Sequence, residues 1–368
     1  MVKKIIKSYD YTLVLAPIIL SLFGIIMIYS SSMVVAVDEY EGTPDLFFLK
    51  QLRWFFLGVL IYMFFLIFPY KIYKRFLKLI FFGAPIILIA VLLFGTTTNN
   101  ATRGFLGFQP AEFIKLGVII YLAGVFSNKQ SYIERFAPAF GPPLTFIFII
   151  FFLVYKQPDL GTALLILATA GMIIICSGIR LKHLSRLMLV AVVGAILLYP
   201  FLSEVQLGRI TAAYNPFHED IADKNGYQLI NSYIAIAAGG VTGEGLGKSI
   251  QKFGYLPEPH TDFIMAIISE ELGIFGVGFV LFMLLFIVWK GFTVAMKAND
   301  PFGSLIAIGI SGMIGIQSFV NIGALTGLLP ITGVPLPFVS YGGSSLVLIM
   351  ISMGILNNIA MYAKLKQA

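Results

Sequence analysis

The chain has 368 residues, of which 58% are hydrophobic and 12% charged, and its net charge is +7. Because soluble domains have about a quarter charged residues, this composition excludes an ordinary soluble protein and predicts a membrane protein. The positive charge does not indicate nucleic-acid binding, since cytoplasmic loops of membrane proteins collect Lys and Arg. A single cysteine, Cys176, excludes an intrachain disulfide, and the three histidines show no metal-ligand spacing.

Apolar segments predict an all-α, polytopic membrane protein with ten transmembrane helices in one domain, 1–368. The first segment follows Lys3, Lys4 and Lys7 and is too long for a signal-peptide core, so it is predicted as a retained span. The fifth is weakened by three prolines. The predicted spans are 11–33, 54–68, 76–95, 111–127, 138–155, 160–179, 184–201, 263–290, 304–328 and 343–363.

Basic residues favour one side of this arrangement. Sixteen of the 25 Lys and Arg residues lie before the first span or directly after an even-numbered span. The positive-inside rule therefore predicts both termini in the cytoplasm. It also places the one long loop, about 202–262 between spans 7 and 8, on the extracytoplasmic side. This loop contains an apolar piece, 226–240, which is too short to cross a membrane and is predicted to lie at the interface or to re-enter it.

Polar motifs occur at the starts of spans 4, 6, 8 and 10, all on the predicted outer side. Helix N-termini offer unpaired N–H groups and partial positive charge, so four of them on one side favour a phosphate-bearing ligand. The motifs are Gln109-Pro110-Ala111-Glu112 with Lys115 one turn deeper, Gln157-Pro158-Asp159, Thr261-Asp262, and Tyr341-Gly342-Gly343-Ser344-Ser345. Glu112 and Lys115 fit either an intramembrane ion pair or a substrate-orienting pair, while Asp159, Ser344 and Ser345 fit either ligand contacts or turns and caps.

The stretch 255–273 crosses from polar loop into predicted span 8. Glu270 and Glu271 lie about two turns beyond Asp262, at a depth where ionisable groups are costly and mark function. Their directions differ at 100° per residue, so a shared task is not expected, and one is predicted to pair with a basic residue on a neighbouring helix. Asp262 fits two interpretations. It either caps the helix, which lowers its pKa, or acts as a general base whose pKa burial or Glu270 raises.

The segment 239–249 is rich in glycine and contains Gly247-Lys248-Ser249, which is similar to the end of a phosphate-binding loop. The first glycine of that motif is replaced by Thr242, and no strand precedes it, so nucleotide binding is rejected. A ligand-contacting loop and a plain surface loop remain the two interpretations.

Longer runs resemble one family, the shape, elongation, division and sporulation (SEDS) proteins, which include FtsW, SpoVE and RodA. The resemblance covers nearly the whole chain, and the SIQKFGYLPE and KSYDY runs are more similar to FtsW and SpoVE than to RodA. The stretch 98–110 departs from the family pattern because it is short and lacks Trp, which leaves the role of Arg103 open. The matching runs are YSSSM (29–33), FQPAEFIKL (108–116), QPDLGTA (157–163), GYQLINSYIAIAAGG (226–240), SIQKFGYLPEPHTDFIMAIISEELG (249–273) and NIGALTGLLPITGVPLPFVSYGGSS (321–345).

The resemblance implies a peptidoglycan glycosyltransferase in the bacterial cytoplasmic membrane. Its substrate would be lipid II, an undecaprenyl-pyrophosphoryl disaccharide-peptide, polymerised into β-1,4 glycan at the outer face for septal wall synthesis. Membrane lipid, a class B penicillin-binding transpeptidase and other division or elongation proteins are the implied partners, with no nucleic acid. The resemblance assigns the key acid to Asp262 and makes Glu112 and Lys115 important to activity. No metal ligands are predicted, and a requirement for a divalent cation is left open.

The predicted site therefore has Asp262 as the catalytic base. A flippase or transporter of the lipid-linked precursor is the alternative function, because buried charges suit a translocation path. Neither paired broken helices nor an inverted repeat supports that alternative, and a pure transpeptidase scaffold leaves the buried charges unexplained. The predicted supporting residues are Glu112, Lys115, Asp159, Arg209, Lys248, Lys252, His260, Thr261, Glu270, Glu271, Ser344 and Ser345, with the four basic ones stabilising pyrophosphate.

Overall fold

A computed structural model describes residues 4, 7–98, 101–104, 108–129, 136–218, 221 and 226–367. Lys3 and Arg135 of the predicted basic set lie outside the described residues, and so does the side chain of Arg103. The helices of the described part are α1 Tyr11–Asp38, α2 Leu46–Ile67, α3 Leu77–Phe94, α4 Pro110–Lys129, α5 Phe136–Tyr155, α6 Leu160–Cys176, α7 Leu181–Leu198, α8 Glu204–Tyr214, α9 Tyr227–Gly239, α10 Ile264–Lys297, α11 Pro301–Leu325 and α12 Gly343–Gln367.

Two 3₁₀-helices, Tyr70–Phe76 and Tyr199–Phe201, and one small antiparallel hairpin complete the described structure. The hairpin pairs β1 Thr96–Thr98 with β2 Ala101–Gly104 and lies in the short stretch between α3 and α4. It is a local exception to an otherwise helical chain.

Nine helices in the described residues are long and apolar enough to cross a membrane. The sixth predicted span, 160–179, corresponds to the shorter apolar helix α6, which has 17 residues and brings the number of spans to ten. The doubtful fifth span forms as α5 although Pro142 and Pro143 lie inside it. Neighbouring helices can satisfy backbone groups that proline leaves free, so prolines are tolerated in membrane helices. The predicted all-α, multi-pass membrane fold is confirmed.

The centre of the bundle is formed by α12, which packs against α2, and by α11, which packs against α4, α6 and α10. These contacts bury most of α12, whereas none of the described side chains of α7 is buried. Leu189, Val190 and Ile196 of α7 are about two-thirds exposed, as expected for side chains that contact lipid tails.

The long loop after α7 contains two helices, α8 and α9. Helix α8 begins with a capping box in which Ser203 and Gln206 exchange side-chain and backbone hydrogen bonds. Helix α9 corresponds to the predicted apolar piece and packs against α10 and α11. The Ser232 hydroxyl on α9 donates to the Leu325 carbonyl at 2.9 Å. The loop is therefore joined to the helical bundle at the end of α11.

Helix α10 is broken at Gly273, where φ is 60° and ψ is −152°. The carbonyls of Glu270 and Glu271, freed by this break, accept hydrogen bonds from the N–H groups of Glu244 and Gly245 at 2.9 and 3.0 Å. Only glycine adopts such a conformation without strain, and the adjacent loop supplies the missing donors. The predicted eighth span, 263–290, is therefore present but broken at this glycine.

Candidate functional site

A polar cavity of about 430 Å³ lies where the starts of α4, α6 and α12 meet the segment before α10. Helix starts far apart in sequence therefore surround one space, and each contributes a polar motif singled out above. Seven of the thirteen predicted site residues line this cavity: Glu112, Asp159, Arg209, Thr261, Asp262, Ser344 and Ser345.

Asp262 lies at the border between the cavity and α10. The helix begins at Ile264, its cap position is Phe263, and no side-chain cap hydrogen bond is present there. The Asp262 carboxylate instead accepts a hydrogen bond from the Thr261 hydroxyl at 2.9 Å. The helix-cap interpretation of Asp262 is therefore wrong, and its carboxylate remains beside the cavity.

The surroundings of Asp262 favour its protonated form. Although the residue lines the cavity, protein surrounds the carboxyl, and this burial raises its pKa above the usual 3.8. The Glu258 carboxylate raises the pKa further, while the Arg209 guanidinium opposes the shift. The negative neighbour is thus Glu258 rather than the predicted Glu270. A raised pKa brings a carboxylate closer to the range in which it is an effective general base.

Glu112 and Lys115 form an ion pair, with Lys115 Nζ 2.9 Å from one oxygen of Glu112. The ammonium also donates to the Gln317 side-chain oxygen at 3.2 Å. Both residues of the pair are buried, yet Glu112 Oε2 has no hydrogen-bond partner among the described residues. Because Glu112 lines the cavity and Lys115 does not, the carboxylate is the member of the pair that can meet a ligand.

Asp159 and Ser344 each hold a helix start in place. The Asp159 carboxylate caps α6 by accepting from the Thr162 N–H at 3.2 Å and the Thr162 hydroxyl at 3.0 Å. The Ser344 hydroxyl accepts from the Gln109 N–H at 3.1 Å, which joins the starts of α4 and α12. Both side chains therefore build the cavity wall as well as lining it.

Glu270 and Glu271 do not line the cavity. Lys252 Nζ lies 3.0 Å from Glu271, and both side chains are fully buried. The Ser30 hydroxyl of α1 donates to Glu271 at 2.7 Å, and the Ser249 hydroxyl donates to Glu270. The expected basic partner is thus on the loop, and not on a neighbouring helix. These contacts show an anchor that fixes the glycine-rich loop to α1 and α10.

Lys248 and His260 also lie outside the cavity lining. Lys248 is exposed on the loop. His260 is buried, with its ring 4.4 Å from Phe47 and 5.4 Å from Tyr341, and its carbonyl accepts the Tyr341 N–H. Burial lowers the pKa of His260 to about 4, so the ring is neutral near pH 7. Of the four predicted basic residues, all of them described, Arg209 alone lines the cavity.

Sequence reasoning missed several cavity residues, notably Trp54, Gln228 and Glu258. Trp54 comes from α2, and a Cβ added at Gly343 would lie 2.3 Å from its indole ring. Glycine is therefore required at this position for the close approach. Trp54 is a single aromatic residue in an apolar segment, so the sequence gave no reason to select it. Glu258, in contrast, lies within the stretch 255–273 that the sequence analysis singled out. No group of three or more His, Cys, Asp or Glu residues in the described structure is arranged to hold a metal ion.

Comparison with known proteins gives the family of this chain. The family model for FtsW, RodA and SpoVE, described as a cell cycle protein, matches residues 11–365. The chain belongs to this family. A family relative from Bacillus subtilis (strain 168), "Probable peptidoglycan glycosyltransferase FtsW", is 49% identical, covering 99% of this chain and 93% of the relative. Stage V sporulation protein E of the same organism is 39% identical, covering 97% of this chain and 98% of that protein.

Solved structures of family-like chains share the fold. A chain described under "Structural coordination of polymerization and crosslinking by a peptidoglycan synthase complex" matches with a TM-score of 0.78 at 23% identity, covering 96% of this chain and 98% of the other. The rod shape determining protein RodA of Thermus thermophilus matches with a TM-score of 0.70 at 24% identity, covering 96% of each chain. The similarity spans the whole helical bundle.

Proposed function

We propose that the protein is a peptidoglycan glycosyltransferase that polymerises lipid II into β-1,4 glycan strands for septal wall synthesis in cell division. The observation that carries the proposal is the buried Asp262 carboxyl beside a polar cavity, with a raised pKa and an adjacent hydroxyl donor. The names of the family relatives support the reaction class.

The proposed reaction joins two lipid-linked sugars. Asp262 takes the proton from the 4-hydroxyl of one sugar as that oxygen attacks the anomeric carbon of the other. The bond from that carbon to the pyrophosphate oxygen breaks, and undecaprenyl pyrophosphate leaves with the electron pair. Attack from the opposite face inverts the configuration and gives a β linkage. The Arg209 guanidinium and the N-termini of α6 and α12 supply positive charge for the departing anion.

Glu112 and Lys115 act together in this proposal. The unpartnered oxygen of Glu112 orients a sugar hydroxyl or amide, and the Lys115 ammonium holds the carboxylate in place through its other oxygen. Lys248 and Lys252 are no longer proposed as pyrophosphate ligands, because one is exposed away from the cavity and the other is held by Glu271. Six further residues support the site through the contacts described above: Asp159, His260, Thr261, Glu270, Glu271 and Ser344. Ser345 supports it as part of the cavity lining.

We infer that the cavity faces the extracytoplasmic side and that both termini are cytoplasmic. The positive-inside distribution of Lys and Arg supports this orientation, and the ends of the chain are among the basic segments. The chain is proposed to act as a single domain in the bacterial cytoplasmic membrane. A class B penicillin-binding transpeptidase is the proposed partner, in line with the synthase complex whose chain shares the fold.

A flippase is not favoured. The break in α10 is a feature found in transporters. Here, however, the freed carbonyls are bonded to the loop at Glu244 and Gly245 and do not line a path. Labelled lipid II in reconstituted vesicles separates the two functions, because a flippase moves the label across the bilayer without forming polymer.

Polymerisation by the purified protein is the direct test of the proposed function. Full-length protein in detergent or vesicles is mixed with lipid II, with and without a class B transpeptidase, and the glycan products are separated by length. Heat-inactivated protein is the control for spontaneous products. Absence of polymer in both conditions, with folded protein present, would contradict the proposal.

The raised pKa of Asp262 predicts an acid limit to the reaction. A base works only when unprotonated, so kcat/KM should fall as the pH drops through a pKa that lies above 3.8. Glu258→Gln removes a neighbouring negative charge and should move this acid limb to lower pH, whereas Arg209→Gln should move it to higher pH. Initial rates from about pH 4 to 9 measure the limb. If neither variant moves the acid limb of kcat/KM, the group that titrates there is not Asp262.

A further inference from the structure

Two amide side chains on α11 connect the parts of the site from behind. Gln317 and Asn321 lie one helical turn apart on one face of α11, and they are only 1% and 2% exposed. Neither residue lines the 430 Å³ cavity, and the proposed reaction gives neither one a role. A buried amide is costly unless it is hydrogen-bonded, so the partners of these two side chains are informative.

Asn321 holds the backbone of the general base. Its Nδ2 donates to the Asp262 carbonyl at 2.8 Å and to the Val334 carbonyl at 2.8 Å. Both partners can only accept, so the amino group must face them, and the orientation of the amide is determined. The segment that carries Asp262 and the segment at Val334 are therefore bonded to the same side chain.

Gln317 makes the corresponding contacts one turn earlier. Its Oε1 accepts from Lys115 Nζ at 3.2 Å, and its Nε2 donates to the Pro335 carbonyl at 2.8 Å. An ammonium only donates and a carbonyl only accepts, so this amide is oriented just as firmly. Lys115 in turn holds Glu112, which lines the cavity and has one carboxylate oxygen without a hydrogen-bond partner among the described residues.

We infer that Gln317 and Asn321 form an amide clamp that positions Asp262 relative to the Glu112–Lys115 pair. The clamp sets this geometry through hydrogen bonds from one rigid helix. Its two other contacts fix the neighbouring carbonyls of Val334 and Pro335, and Pro335 lines the cavity. The inference rests on the proposed function, since it assigns positioning residues to that reaction. Misplacement of a reacting group by about 1 Å can reduce a rate by roughly 100-fold, so such a clamp acts on turnover more than on binding.

Near-isosteric variants test the clamp. Asn321→Leu and Gln317→Met keep the approximate side-chain volume but remove the donors, and each should lower kcat for lipid II polymerisation by roughly 10- to 100-fold. The KM should stay within about twofold, because neither side chain contacts the substrate. Ser318→Ala is the matched control. Its hydroxyl is buried on the same helix and donates only to the Ile314 carbonyl, so kcat should not change.

A titratable variant gives a readout that loss of folded protein does not produce. Asn321→Asp places a carboxyl group against the carbonyls of Asp262 and Val334, and only its protonated form can donate a hydrogen bond to one of them. In Asn321→Asp, kcat should therefore fall further as the pH rises and this carboxyl loses its proton, whereas Ser318→Ala should keep the wild-type pH profile. A variant that was merely less folded would lower the whole profile by the same factor.

The outcomes separate the clamp from the proposed function. Wild-type protein that makes no polymer refutes the function itself, and the clamp with it. With active wild type, folded Asn321→Leu and Gln317→Met proteins that keep wild-type kcat overturn the clamp alone. A loss equalled by Ser318→Ala, or accounted for by the folded fraction in size-exclusion and thermal unfolding, also overturns it. If Asn321→Leu does not fold, the results for Gln317→Met and Asn321→Asp decide whether the clamp stands.

Discussion

Asp262→Asn is expected to lower kcat for lipid II polymerisation by roughly 10²- to 10⁴-fold, the usual contribution of a general base. The amide has nearly the same shape and its oxygen can still accept the Thr261 hydroxyl, but it cannot take a proton. Because no buried charge is left unpaired, the protein should remain folded. Glycan product formed per unit time by purified variant and wild type measures the effect.

Asp38→Asn provides the matched control for this substitution. Asp38 is an exposed carboxylate at the end of α1 and does not line the cavity, so its removal should leave the rate unchanged. Binding of lipid II should survive in Asp262→Asn, since the cavity keeps its other polar groups. If Asp262→Asn retains more than about a tenth of the wild-type rate, its effect falls below the range for a general base and Asp262 is not the base.

The helices could be predicted because a lipid bilayer allows few backbone conformations other than the helix. Backbone groups in lipid must be bonded within the segment, so an apolar run of sufficient length has to form a helix. This constraint holds even for α5, with Pro142 and Pro143 inside it, and for α6, which has only 17 residues. Local composition therefore determined most of the fold.

The cavity was partly predictable from the order of the spans. Alternate helices begin at the same end of a bundle, so polar motifs at the starts of α4, α6 and α12 were expected near Asp262, and the structure places them around one cavity. Which side chains point into that cavity depends on helix rotation and on neighbours such as Trp54. The sequence contains no local signal for either.

The local sequence pattern predicted neither the break at Gly273 nor the buried ion pair between Lys252 and Glu271. The residues around Gly273 are typical of a continuous helix, and the break is stable only because Glu244 and Gly245 of a distant loop donate to the freed carbonyls. Lys252 likewise looked like a surface cation suited to pyrophosphate. Its pairing with Glu271 is set by packing of the loop against α1 and α10.

Lys252→Met is expected to lower the free energy of unfolding by about 3–5 kcal/mol. The substitution keeps the length of the side chain but leaves the Glu271 carboxylate buried without its cation, with the Ser30 hydroxyl and the Ser249 N–H as remaining donors. Breaking a buried pair from one side is costly because the other charge stays desolvated. Thermal and denaturant unfolding in detergent measure the change.

Two further variants, Lys248→Met and the double variant Lys252→Met/Glu271→Gln, test whether the loss of stability comes from the Lys252–Glu271 ion pair. Lys248 lies four residues away on the same loop but is exposed, so its substitution should change stability by less than about 0.5 kcal/mol. In Lys252→Met/Glu271→Gln the stranded charge is absent, and much of the lost stability should return, since residues in direct contact are not additive. Equal losses in Lys252→Met and Lys248→Met, or no recovery in the double variant, would mean that the charges do not anchor the loop.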